Sequence, residues 1–180
     1  IGGLADPPVG ETLAAPRPWG YRNSARFHGV GGRIGYYAAD SHDLQEIESD
    51  PLLLPVLNDA LAALRGAVRA GAPAPAEVIL RASEAYGYVL AALLRSERGE
   101  GRGYNAEAID DLSQLARRWR MRCPALAGVT LPGPPPIALG ADHLIEELGG
   151  IAFHLRPATF FQINSAAAEA ASSPPSCKTG

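Results

Sequence analysis

The chain has 180 residues, 47% of them apolar, which suffices for one domain with a core, or one domain and part of a second. No apolar run approaches the roughly 20 residues of a membrane-spanning helix, and Ile1-Gly2-Gly3-Leu4 has neither the basic nor the apolar stretch of a signal peptide. The net charge of −3 speaks weakly against a nucleic-acid partner, although a local basic stripe acts through its own field.

The start lacks an initiator Met, so the natural N-terminus is expected to lie upstream. Cys123 and Cys177 are too few for a disulfide scaffold and spaced like no zinc motif. A cytoplasmic monomer is expected. Residues 1–18 carry Pro7, Pro8, Pro16 and Pro18 and read as an irregular lead-in. From Tyr21 to Phe27 the pattern alternates, with Arg22, Ser24 and Arg26 on one face, which predicts a strand with a basic face. Gly29, Gly31 and Gly32 turn the chain into a second strand over Arg33–Ala38. The same glycines resemble a nucleotide-binding loop, but no helix follows them, so a hairpin turn is the better reading.

Leu57, Leu61, Leu64 and Val68 recur at helical spacing after Asp50-Pro51, and Gly71 with Pro73 ends that helix. Strands are predicted over Glu77–Ala82 and Tyr88–Leu94, then a charged loop over Glu97–Gly103. Asn105 is placed to cap a helix that carries Ile109, Leu112, Leu115 and Trp119 inward. Leu126–Leu131, Ile137–Leu139, Leu144–Leu148 and Ile151–Leu155 read as short strands, the last two joined at Gly149-Gly150. Asn164 or Ser165 caps a final Ala-rich helix, and the Ser/Pro-rich tail from Ser172 is expected to be disordered. Strands outnumber helices and hairpins join neighbours, which predicts an α+β fold with mostly antiparallel sheet and two or three packed helices.

Three stretches together resemble the RNA (uracil-5-)-methyltransferase family. They are Trp19-Gly20-Tyr21-Arg22-Asn23 with Ile34-Gly35-Tyr36-Tyr37 and Ser41-His42; Pro51-Leu52-Leu53 with Pro55 and Asn58; and Leu148–Phe153 followed by Arg156-Pro157-Ala158-Thr159-Phe160-Phe161-Gln162-Ile163-Asn164 and Glu169. The resemblance runs from about Trp19 to Ala171. It implies a central α+β RNA-contacting domain over 19–157. It further implies that 158–171 is the first helix of an incomplete Rossmann-like methyltransferase domain, and leaves 172–180 as a tail unlike the family. It assigns Gln162 to S-adenosylmethionine and places Phe160 by the target base. Members of the family methylate carbon 5 of a uridine in ribosomal or transfer RNA. Many hold an iron–sulfur cluster whose last cysteine sits where this chain has Asp50. A cluster needs thiolates, so none is expected.

Carbon 5 of uracil is a poor nucleophile. Such enzymes add a thiolate to carbon 6, which lets carbon 5 attack the sulfonium methyl, and a base then removes the carbon 5 proton. The target base must also leave its stack. The family's glycine-rich cofactor loop, nucleophilic cysteine and glutamate base are expected beyond Glu169, so no catalytic residue is assigned within the chain and a methyltransferase inactive on its own is the expectation. Arg122 could activate Cys123, but an inert, partly buried thiol is the preferred reading. Arg22, Arg26 and Arg33 are the RNA-contact candidates, against the alternative of a solvated outer face. Arg117, Arg118, Arg120 and Arg122 read as cations at a helix C-terminus. Gln162 and Asn164 could also be helix caps, Phe160 could be core, and Phe161 is taken as core. His28, His42, His143 and His154 lack metal-ligand spacing. A non-catalytic RNA-binding module and a purely structural domain remain as alternatives.

Overall fold

A computed structural model describes Gly3 and residues 11–94 and 106–172. The Glu97–Gly103 loop, the Asn105 cap and the tail after Ser172 lie outside the described residues.

The first long helix, α1 (Pro55–Arg69), opens on Pro55, whose missing N–H costs nothing in the first turn. Its apolar stripe of Leu57, Leu61, Leu64 and Val68 is buried, and Gly71 follows with φ of 90°. The second, α2 (Ala106–Arg122), turns Leu112, Leu115 and Trp119 inward and ends on Arg120 and Arg122. The two helices lie together on one face of a sheet, joined by the Trp119 indole, which donates to the Ala60 carbonyl at 2.8 Å.

That sheet contains β1 (Ser24–Val30), β2 (Arg33–Tyr37), β3 (Leu44–Glu46), β4 (Glu77–Ala82), β5 (Val89–Leu94), β6 (Leu126–Leu131) and β7 (Ile137–Gly140). Their spatial order is β3-β2-β1-β4-β5-β6-β7, antiparallel throughout except for the β5–β6 pair. A parallel neighbour needs a crossover, and α2 lies in it. Phe27, Ile34, Val78, Leu80, Ala91, Leu93 and Val129 face the helices in one core. The chain is therefore α+β with a mostly antiparallel sheet, as its hairpin pattern predicts.

On the opposite face a separate hairpin, β8 (Leu144–Leu148) and β9 (Ile151–Leu155), covers part of the sheet. Leu144 and Leu155 bury Leu90, with Tyr88, Phe153 and Phe161 around them. The short helix α3 (Ser165–Ser172) follows, capped by Asn164, whose Oδ1 accepts from the Ala167 N–H at 3.0 Å.

Two elements differ from the sequence reading. The first strand runs over Ser24–Val30 rather than Tyr21–Phe27. The Tyr21 and Arg22 N–H groups both donate to the Leu52 carbonyl and the Asn23 N–H to Ile163, so this backbone is engaged elsewhere before the ladder starts. The strand β3 was not anticipated, because Leu44-Gln45-Glu46 offers a single apolar residue to any pattern.

Candidate nucleic-acid interface

The face of β1 and β4 turned away from the helices carries Ser24, Arg26 and His28 opposite Arg81, Ile79 and Glu77. Beyond this row the chain descends from β9 through Arg156–Asn164 and lies across it. Asn23 sets that crossing. Its side chain is buried, and Nδ2 donates to the Gln162 carbonyl and to Ser165 Oγ, both at 2.9 Å. Its own N–H donates to the Ile163 carbonyl. One asparagine thereby holds the start of β1 against the corner that leads into α3.

Arg81 makes the second tie. It is 4% exposed, and it donates through Nε to the Pro157 carbonyl at 3.3 Å and through Nη2 to Thr159 at 2.5 Å. Its Nη1 has no hydrogen-bond partner among the described residues. Burial strips water from this guanidinium and pulls its pKa down, while the Glu146 charge works in the opposite direction. Glu146 is itself held by the N–H groups of Glu84, Ala85 and Glu147.

Between these ties lies a cavity of about 300 Å³ lined by Arg26, Arg81, Thr159, Phe160, Phe161 and Ile163 among others. Phe160 is 86% exposed, an unusual position for a large aromatic with no role. Phe161, on the wall of the same cavity, packs against the second core cluster and meets Phe153 at a centroid distance of 5.3 Å. Arg26 is half-exposed and its Nη1 lies 3.7 Å from the Glu77 carboxylate.

The three arginines of the predicted stripe do not form one row. Arg26 enters the cavity wall. Arg33 is exposed at the far end of the hairpin. Arg22 precedes the ladder, bridges to Leu53, and places its charge by the Tyr36 hydroxyl, with Nε buried and without a hydrogen-bond partner among the described residues. Arg81 and Asn23 were not singled out in the sequence. Arg81 had a signal, being the one charge inside the buried run Val78-Ile79-Leu80-Arg81-Ala82.

No family model matches the chain. Curated proteins do. Over 94% of its length it is 31% identical to an uncharacterized RNA methyltransferase of Gloeobacter violaceus and 30% identical to one of Nostoc sp., covering 41% of each. An uncharacterized RNA methyltransferase of Geobacter sulfurreducens is 30% identical over 87% of the chain and is covered to 35%. The chain thus spans about two fifths of the length of the relatives it matches first. Its fold is that of part of a solved structure, the Pyrococcus abyssi tRNA (uracil-54, C5)-methyltransferase in complex with S-adenosyl-L-homocysteine. The TM-score is 0.60 and the identity 14%, over 87% of this chain and 41% of that one.

In sequence the chain is similar to proteins named as RNA methyltransferases.

In this chain Gln162 has an exposed side chain, and its backbone rather than its amide holds the corner in place. Cys123 is buried just after α2, and burial pushes its thiol pKa up, away from the thiolate form. Asp50, which the resemblance sets at a cluster-cysteine position, uses its carboxylate locally. Oδ2 accepts from the Tyr36 hydroxyl at 3.0 Å and Oδ1 from the Leu52 N–H at 2.8 Å. Asn58 closes the same turn by exchanging hydrogen bonds with the Asp50 backbone. No helix among the described residues is long and apolar enough to cross a membrane.

Proposed function

We propose that this chain is the RNA-gripping part of a methyltransferase acting on carbon 5 of a uridine, with the Arg26–Phe160 cavity receiving the strand beside the target. In this reading residues 19–157 form the RNA-contacting domain and 158–171 lead into the catalytic domain of the parent protein. The observation that carries it is the convergence of a guanidinium and a bare phenyl ring on one cavity, from chain segments far apart in sequence. A guanidinium pairs with phosphate, and an exposed ring stacks on an unpaired base. The sequence relatives, named as RNA methyltransferases, support the substrate class.

The described residues do not by themselves fit S-adenosylmethionine, the parent's cofactor in this reading. A cofactor site buries most of its ligand, whereas Gln162 is exposed and is not among the residues lining the cavity beside it. Nor does Cys123 offer a thiolate. The chemistry is therefore assigned to the rest of the parent protein, and this chain alone is expected to give no measurable heat with S-adenosylmethionine at low-micromolar concentration.

Affinity for a single-stranded, uridine-containing RNA as a function of salt tests the reading. Each phosphate contact contributes about −0.7 to the log–log slope on a single strand, so Arg26→Ala should flatten the slope by roughly that amount. Phe160→Ala should weaken binding by about tenfold and leave the slope alone, since base–ring stacking is worth ~1–3 kcal/mol. RNA affinity that ignores salt and both substitutions would remove the proposal.

A further inference from the structure

The open face of the hairpin continues past Arg26 into a tier of rings. His28 and Tyr37 stack with centroids 4.1 Å apart and planes 18° apart, and His42 tilts against Tyr37 at 5.6 Å. Tyr37 is 38% exposed and His42 is exposed as well. The tier belongs to the same side as Arg26. His28 pairs with Gly35 and is two residues from Arg26, while Tyr37 is two residues from Gly35, so all three side chains point away from the helices. Glu77, almost buried between them, lies 3.3 Å from His28 Nδ1 and 3.7 Å from Arg26 Nη1. It holds one nitrogen of each group, while 51% of the Arg26 side chain and 23% of the His28 side chain stay open to solvent.

Resting on the reading above, we propose that His28, Tyr37 and His42 form a stacking platform for a nucleotide flanking the target uridine, with Arg26 bridging it to the Phe160 cavity. The occupant is single-stranded RNA, for two reasons. First, rings alternating with arginines, Phe160, Arg26, then His28 and Tyr37, with Arg33 exposed at the hairpin tip, match a strand whose bases and phosphates alternate. Secondly, the rings are already stacked, so an added base orders little that is not ordered already. Duplex RNA hides its base faces and would not use the platform.

The test uses the full chain and short labelled RNAs: a single strand with one uridine, the same strand abasic at the nucleotides beside it, and a duplex. Tyr37→Ala should bind the intact single strand about tenfold more weakly with an unchanged salt slope, and Tyr37→Phe should bind it like the wild type. His42→Ala, at an exposed site, repeats the measurement where folding is not at stake. With the abasic strand lacking the stacked base, wild type and Tyr37→Ala should bind alike. Equal affinity of wild type, Tyr37→Ala and His42→Ala for the intact strand, with Arg26→Ala still weaker, overturns the platform and leaves the cavity reading standing. A wild type that binds none of the RNAs overturns both.

Discussion

Asn23 and Arg22 are neighbours with opposite duties. The Asn23 amide has two acceptors to satisfy on the corner that leads into α3, and it is 1% exposed. Removing a buried donor strands its partners at a cost of about 1–3 kcal/mol. Asn23→Ala should therefore lower the urea midpoint and loosen the corner that presents Phe160. Asn23→Asp should be worse, because a carboxylate would face the Gln162 carbonyl. Arg22 has its Nε buried and its charge beside Tyr36, on the helix side of the ladder. Arg22→Ala is accordingly expected to lower thermal stability and to leave the salt slope of RNA binding unchanged, in contrast to Arg26→Ala. A melting curve and a salt titration on the two variants separate these outcomes. The alternation from Tyr21 to Phe27 put both arginines on one face. It could not show that the Arg22 backbone is drawn to Leu52 before the ladder begins.

Among the elements, those whose order is dictated by their own side chains were legible. The strand Glu77–Ala82 and the Leu57–Val68 stripe of α1 follow from apolar runs and helical spacing. The glycine hairpin does too, because Gly31 and Gly32 take φ of 59° and 78°, where a side chain is strained. Elements ordered by a distant partner were not. The strand β3 exists because it pairs with β2, and the parallel β5–β6 pairing depends on where α2 returns the chain. The β2–β3 pairing rests on Gly35. A Cβ there would run into the Gln45 carbonyl, so Gly35→Ala must push β3 off the sheet edge. Hydrogen exchange should then quicken at Leu44–Glu46 while the β4–β5 amides stay protected. On the helix side, Trp119 fills the α1–α2 contact with no exposed surface and a hydrogen bond to Ala60. Trp119→Ala should cost about 3–5 kcal/mol in denaturant unfolding, through the cavity it leaves and the stranded carbonyl.

At the level of the whole molecule, the groups that titrate differently in the fold bracket a pH window. Glu46 is held below its ordinary 4.5 by the Arg65 hydrogen bond first, with the Arg65 and Arg69 charges adding to it. A carboxyl depressed in the fold contributes stability above its unfolded pKa and loses it as pH falls through the folded value. Tyr36 marks the other limb. Burial first, then the hydrogen bond and charge of Asp50, raise its phenol well above the ordinary 10.0. Its contribution is complete below about pH 10 and declines as the unfolded phenol ionises while the folded one cannot. Stability should thus hold level from above the ordinary Glu46 value up to about pH 9, where the unfolded Cys123 thiol starts to ionise and the buried one resists, and fall at both ends. Glu46→Gln should flatten the acid limb and Tyr36→Phe the alkaline one, each at the expense of a partner left behind on Arg65 or Asp50. Urea midpoints measured from pH 3 to pH 11 decide it. An alkaline limb just as steep in Tyr36→Phe would mean that another group, such as the buried Cys123 thiol, controls that side of the window, and that the Tyr36–Asp50 contact holding β2 to the α1 turn is weaker than its geometry implies.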